Sequence, residues 1–278
     1  MMTFDIAHLS DLHFGNPNSH LTREDVARAM DAVLSQLKAD TSFLVISGDI
    51  TFQGKEDGYL EAKDAIKAAI TRKGLPASNV LMCPGNHDIV KEATSTPFFT
   101  AFDAWSTGIR NDKSCTFAGA SARLIQNDTA DFLLLNSAYH ADHKMGLVDL
   151  ISTEKLLASA GITKDSAHRL RLAVVHHHVV PVLEEDVSTT RNAYSLIKLL
   201  IKYGFASLMH GHQHAMLDLT IGHNKLQISG VGSFGYSTPG YINSVVVYRG
   251  RGSSIEEVEH YGLTKDAASG LVHIKETK

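Results

Sequence analysis

Cysteine is scarce. Cys83 and Cys115 are the only two in 278 residues, too few for a disulfide framework. They are expected to be reduced, buried residues of a cytoplasmic protein. Long hydrophobic runs are also missing. None approaches the roughly 20 residues of a membrane span, so no membrane partner is expected. Excess basic charge is absent as well. Lys and Arg number 26 against 30 Asp and Glu, a formal net charge of −4. A nonspecific nucleic-acid binder carries a basic field, and its absence disfavours nucleic acid. At the N-terminus no basic segment precedes an apolar one. Met1-Met2-Thr3-Phe4-Asp5 runs straight into a strand pattern, so no leader is expected to be removed. No repeat, linker or low-complexity segment divides the chain.

What is present is enough apolar residue for a full core, 44%, and an excess of histidine. There are 16 histidines. Eight lie in five short motifs: Asp11-Leu12-His13, Gly48-Asp49, Gly85-Asn86-His87-Asp88, His176-His177-His178 and His210-Gly211-His212-Gln213-His214. That concentration points to metal chemistry.

The motifs sit in a regular context. Apolar runs at Phe4–Leu9, Ser42–Ser47 and Val80–Cys83 alternate with helical spacing over Thr22–Leu37 and Tyr59–Thr71, the pattern of successive βαβ units. A weaker helical signal covers Lys91–Asn111, with Phe102 and Trp105 facing inward. Strands are predicted over Ser114–Ile125, Phe132–Asn136, Arg169–Val175 and Ser207–Met209. Helices are predicted over Thr153–Ala160 and Ala193–Tyr203. Met216–Ile221, Lys225–Ser229 and Tyr241–Tyr248 alternate like antiparallel strands, and periodicity fades after Ser253. A single α/β domain with two sheets is expected over residues 1–278. Its motif-bearing part is 1–215, and C-terminal strands and a tail follow over 216–278. Every motif falls at the C-terminal end of a strand, where ligands bind in open α/β sheets.

Each motif offers specific chemistry. If the segment is extended, Asp11 and His13 leave it on one face and can grip one ion. Gly48 permits a tight turn, and Asp49 can bridge two ions. The Asn86 amide oxygen suits a hard divalent ion. His87 can protonate a leaving oxygen or hold a phosphoryl oxygen, and Asp88 can orient that imidazole. One or two of His176–His178 can reach a single site. His212 and His214 share a face. Counting ligands gives Asp11, His13, Asp49 and His214 for one ion, with Asp49, Asn86, His176 and His212 for a second. Mixed N and O donors suit manganese, iron or zinc. Two such ions clamp a phosphate and generate hydroxide near neutral pH. A dinuclear-metal phosphoesterase is therefore expected, with His87 and Asp88 as its catalytic residues.

In order and spacing the five motifs resemble those of the calcineurin-like metallophosphoesterase superfamily: Asp-x-His, Gly-Asp, Gly-Asn-His-Asp/Glu, His, and Gly-His-x-His. The resemblance spans residues 11 to 214. It implies a four-layer α/β/β/α sandwich of two mixed sheets, a dinuclear centre with the ligand sets above, and His87 as the acid. Within the superfamily the chain most resembles the class III cyclic-nucleotide phosphodiesterase and glycerophosphodiesterase group. Those proteins carry His-His-Pro or His-His-His-Pro at the fourth motif. Matching Pro181 to the later proline makes His176 the ligand. No proline stands at Val179, which leaves His177 as the alternative. The expected substrate is a small phosphodiester of the cyclic-nucleotide or glycerophosphodiester type. A phosphomonoesterase, a protein phosphatase and a nuclease are alternatives. The sequence leaves assembly as a homo-oligomer open. Outside the ligand sets, His8 reads as a core residue, and His20, His140 and His143 as solvent-exposed. His210 reads as a support or a phosphate contact, and Tyr236 as a rim residue or a plain loop aromatic.

Overall fold

Burial on both faces of the central strands explains how this chain forms layers. In β5 (Ala130–Leu135) and β6 (Leu170–Val175) every residue is buried, which means that both faces are covered. Successive side chains point to opposite faces. Phe132, Leu134, Leu172 and Val174 belong to one apolar cluster, and Leu133, Leu135, Ala173 and Val175 to another. The first cluster fills the space between the two sheets and continues under the helices that pack on the first sheet, and the second lies under the helices of the second sheet. The computed structural model describes residues 2–277 apart from 18, 20, 91–97, 141–143, 165–168, 183, 224–225, 238–239 and 267–271.

The first sheet has the order β12-β11-β10-β1-β2-β3. It combines β1 (Thr3–Leu9), β2 (Thr41–Ser47), β3 (Val80–Cys83), β10 (Ser244–Arg251), β11 (Ser254–Lys265) and β12 (Val272–Glu276). Strands β1, β2 and β3 are parallel, and β10 to β12 continue the sheet antiparallel. The second sheet has the order β4-β5-β6-β7-β9-β8, adding β4 (Ala122–Gln126), β7 (Ser207–His210), β8 (Leu217–Ile221) and β9 (Leu226–Gly230). Its central strands β5, β6, β7 and β9 are parallel, with β4 and β8 antiparallel at the edges. The sheets pack face to face, with Phe43 against Phe132 at 5.1 Å between ring centroids.

Helices α1 (Arg23–Ser35), α2 (Glu56–Lys73) and α3 (Thr100–Arg110) accompany the first sheet. Helices α4 (Leu150–Ser159) and α5 (Ala193–Lys202) cover the second. The result is the expected α/β/β/α sandwich of two mixed sheets. A capping box starts α1. The Thr22 hydroxyl accepts from the Asp25 backbone N–H, and the Asp25 carboxylate accepts from Thr22 N–H, satisfying two of the helix's orphan donors. No described helix is long and apolar enough to cross a membrane.

Two strand expectations change. Ser114–Ser121 is turns and irregular chain rather than the start of β4. Two backbone N–H groups there, those of Phe117 and Ala118, donate to the Asp103 carboxylate of α3 instead of to a strand. The tail beyond Ser253 contains β11 and β12. Their apolar periodicity is weak because much of β11 and β12 is exposed, and pairing with β10 holds them in the sheet. Phe102 and Trp105 are buried as expected. The first part of the helical signal over Lys91–Asn111, residues 91–97, lies outside the described residues, as do His20 and His143.

The inter-sheet contact is testable. Phe132→Ala should destabilise folding by about 3–5 kcal/mol, the usual cost of emptying a buried aromatic site. Urea denaturation of the metal-free protein, with an unchanged slope in denaturant, would check this. A loss below about 1 kcal/mol would show that the sheets do not depend on this packing.

Candidate metal centre

Three motifs follow the adjacent parallel strands β1, β2 and β3, and two follow the adjacent parallel strands β6 and β7. Parallel neighbours end on the same side, so all five loops meet at one end of the sandwich. The side chains they bring together form two clusters. In the first, His214 Nε2 is 3.2 Å and His13 Nε2 is 3.6 Å from Asp11 Oδ1. His13 Nε2 is also 3.8 Å from Asp49 Oδ2. In the second, His176 Nε2 is 3.0 Å from Asn86 Oδ1, 3.1 Å from His212 Nδ1 and 3.4 Å from Asp49 Oδ2. Asp49 lies beside both, next to His13 and His87 on one side and His176 and His212 on the other.

The donor chemistry fits divalent cations. His176 Nδ1 is 2.8 Å from the Ser47 carbonyl oxygen. A carbonyl can only accept, so this nitrogen carries a proton, and Nε2 faces the cluster. There it faces a carboxylate oxygen, an amide oxygen and another imidazole nitrogen. So many acceptors repel one another unless a proton or a cation sits among them. The titration behaviour says the same. Burial alone would lower His176, but the Asp49 and then the Asp11 carboxylates overrule it and raise the group to about 9. Burial drives His212 the other way, to about 3, with His176 adding to the effect. His212 is thus a neutral imidazole. Mixed carboxylate, imidazole and amide donors without thiolate suit manganese, iron or zinc.

The backbone that presents these groups is unusual. Asp11, His13, Asp49, His212 and His214 all have positive φ, between 49° and 70°. This left-handed region is uncommon for residues with a Cβ. Asp11 and His13 converge because two left-handed residues curl the chain, not because the segment is extended. Hydrogen bonds hold the curl. Asp11 N–H donates to Gly48 O, His13 N–H to Asp49 O, and Phe14 N–H to Ile50 O. Asp11 Oδ2 also accepts from His212 N–H at 2.9 Å, tying the two sheets' loops together.

The third motif departs from expectation at Asp88. Its carboxylate does not turn toward the His87 ring. Oδ2 accepts from Gly85 N–H at 2.8 Å, and Oδ1 accepts from Ile50 N–H at 3.1 Å and Tyr59 O–H at 2.9 Å. Asp88 is buried among backbone donors and locks the Gly85 loop to the Asp49 turn. Burial and then the Asp49 charge hold its carboxyl above the usual range. His87 is oriented differently. Its backbone N–H donates to Asp49 Oδ1 at 2.8 Å, and its ring stacks on Phe52 at 5.4 Å.

In the fourth motif the structure brings His176, not His177, to the cluster. His177 lies against Ser137, with Nδ1 2.7 Å from the hydroxyl, and His178 pairs with Asp186. His13, Asp49, His87, His212 and His214 open onto a cleft of about 290 Å³. Asn16, Phe52 and Tyr236 complete its walls. Sequence reasoning missed Asn16 and Phe52. Their only signal was adjacency to the first two motifs. Tyr236 stands on the rim, its ring 5.5 Å from that of His13. His210 does not line the cleft. It is buried, with Nδ1 3.2 Å from its neighbour's carbonyl, that of Gly211. His8 is in the core, bonded to the Ser47 hydroxyl at 2.8 Å, and His140 is exposed.

Five loops from two sheets bring carboxylates and imidazoles together in groups that could hold divalent metal ions. Comparison with known proteins agrees. The model of the calcineurin-like phosphoesterase family matches residues 4–216, and the chain belongs to that family. The uncharacterized metallophosphoesterase-like protein YydB of Bacillus subtilis is 34% identical over 91 residues, 32% of this chain and 18% of YydB. The matched stretch thus spans less than a fifth of that relative. Among solved structures, a dimetal phosphatase from Danio rerio superposes with TM-score 0.61 at 11% identity, covering all of both chains. GAP50, the anchor in the inner membrane complex of Plasmodium, gives TM-score 0.56 at 10% identity over 100% of this chain and 90% of its own. At such identities the structural likeness concerns the fold.

One substitution tests the close approach of the loops. A Cβ on Gly85 would lie 2.2 Å from Asp49 Oδ1 and 2.8 Å from the His176 ring. Gly85→Ala should therefore displace Asp49 and weaken manganese binding by about tenfold or more, the effect of disturbing the supports of a metal site. Calorimetric titration with manganese, alongside circular dichroism to confirm folding, would check this. Unchanged affinity would refute it.

Proposed function

We propose that this chain is a phosphodiesterase that uses two divalent ions, manganese, iron or zinc, to cleave a small phosphodiester. In this reading Asp11, His13, Asp49 and His214 hold one ion, and Asp49, Asn86, His176 and His212 hold the other. The observation that carries it is the convergence of these seven side chains around Asp49 beneath one cleft. When bound, the two ions supply Lewis acidity and activate water near neutral pH.

The chain's own residues do the rest. Asp11 and Asp49 offset the cationic charge. The Ser47 carbonyl fixes the His176 tautomer, the usual second partner of a ligating imidazole. His87 on the cleft wall donates a hydrogen bond to a phosphoryl oxygen and passes a proton to the leaving oxygen. Asp88 supports this by fixing the loop that carries His87, so it is a positioning residue rather than a catalytic one.

The diester preference follows from charge. The described lining of the cleft contains no lysine or arginine. Arg191 is exposed, and its Nε contacts Met145 Sδ. A monoester dianion gains most from such cations, whereas a diester carries a single charge and needs them less. Phe52 and Tyr236 offer apolar walls for an ester group. The run from His176 to Pro181 supports the class III cyclic-nucleotide and glycerophosphodiesterase group. The partner is then a small soluble phosphate ester, with nucleic acid disfavoured by the net charge of −4.

Manganese-loaded protein should hydrolyse bis-(p-nitrophenyl) phosphate faster than p-nitrophenyl phosphate, and chelation should abolish both activities. Asp49→Asn and Asn86→Ala should each lower kcat by about 100-fold or more, as loss of a group that stabilises developing charge does. Faster turnover of the monoester would overturn the diester reading. Full activity in both variants would overturn the proposed centre.

A further inference from the structure

The fourth motif contains two histidines that the proposed centre does not use. Both are fully buried, and both pack against His212. That side chain needs support. It stands on left-handed backbone, φ 70°, and its ring has one described hydrogen-bonding neighbour, His176 Nε2 at 3.1 Å from Nδ1. A ligating imidazole ordinarily donates its other N–H to a carboxylate or carbonyl, which fixes the ring. His176 has the Ser47 carbonyl for this purpose. No described contact gives His212 one.

Packing takes the place of that hydrogen bond. The His178 ring lies nearly parallel to the His212 ring, 17° between planes and 5.6 Å between centroids. The His177 ring is 4.4 Å away at 46°, and the His176 ring closes a further side at 4.9 Å and 75°. Each wall is itself anchored. His177 Nδ1 meets the Ser137 hydroxyl at 2.7 Å, and Ser137 Oγ accepts from His177 N–H at 3.3 Å. His178 Nε2 is hydrogen-bonded to Asp186 Oδ2. The other Asp186 oxygen accepts from Ser188 N–H and Ser188 O–H, both at 2.7 Å. Thr190 N–H donates to the His178 carbonyl at 2.9 Å. The Asp186 carboxylate therefore ties His178 to Ser188 and holds the flat wall behind His212.

We propose that Asp186 is a positioning residue that acts through His178 to orient the His212 imidazole toward one of the two ions. The proposal rests on the reading of the centre given above. It differs from a general structural role in acting on one ion only. The rings of His177 and His178 pack on His212, a candidate ligand of that ion alone.

Cobalt titration followed by calorimetry and by the visible spectrum separates the outcomes. Wild-type protein is expected to bind two ions. Asp186→Ala should bind one ion as wild type does and the other about 10–100-fold more weakly, the range for loss of an outer support. The spectrum of that second ion should change. Asp186→Asn keeps an acceptor for His178 and should recover affinity to within a few-fold. Two ions bound by Asp186→Ala with unchanged affinities, or both weakened equally, would overturn the proposal alone. If Asp186→Ala does not fold, His178→Gln decides. It keeps a donor for Asp186 but removes the flat ring, and unchanged binding of both ions would overturn the proposal. Wild-type protein binding fewer than two ions would overturn the reading of the centre and the proposal with it.

Discussion

Holding several acceptor atoms within about 4 Å of one another inside a protein is the constraint on which the rest of this structure depends. Asp11, Asp49, Asn86 and four imidazoles would separate if the chain let them. The chain does not let them. Five of these seven residues sit in left-handed backbone, a conformation that costs on the order of 1–3 kcal/mol each and persists only where surroundings over-determine it. The surroundings here are strand ends locked by backbone hydrogen bonds between the first and second loops and by Asp88 between the second and third. Rigid sheets supply the leverage. Strain at a strand end is borne by a ladder of buried pairs behind it.

The same constraint explains which polar groups are buried. Ser47, Asp88, Ser137 and the His178–Asp186 pair are buried or nearly so, yet none belongs to either donor cluster. Each satisfies a backbone group or a ring nitrogen of a loop that carries a ligand candidate. Buried polar groups of this kind are costly when half-satisfied and rigidifying when paired.

The five motifs could be read in the sequence because the chemistry fixes residue type. Carboxylate, imidazole and amide side chains supply these donors, so Asp11, His13, Asp49, Asn86, His212 and His214 stood out as candidates in the sequence. The parallel strands β1, β2 and β3 were equally legible, since burial on both faces writes a continuous apolar run. Four things were not legible. Left-handed backbone at Asp11 and His13 leaves no mark, because the residues are chosen for their side chains. The destination of the Asp88 carboxylate depends on Tyr59 and the turn after β2, which local sequence does not bring together. Strands β11 and β12 are half exposed, and pairing with β10, rather than pattern, determines them. The choice among three adjacent histidines also needed tertiary contacts, since Ser47 and Ser137 select the roles of His176 and His177.

The two sheets contribute unequally but jointly to each donor cluster. Asp11, His13, Asp49 and Asn86 follow strands of the first sheet, whereas His176, His212 and His214 follow strands of the second. Each cluster therefore contains groups from both. A cation held by either cluster would cross-link the sheets, and its binding free energy would add to their packing by linkage. The centre also requires the reverse. Donor positions set to within a few tenths of an ångström demand that the sheets already be docked in register. The Phe43–Phe132 contact and its neighbours provide that docking through apolar burial, which is indifferent to charge. Non-directional packing thus holds the sheets together, and directional hydrogen bonds set the loops that present the acceptor cluster.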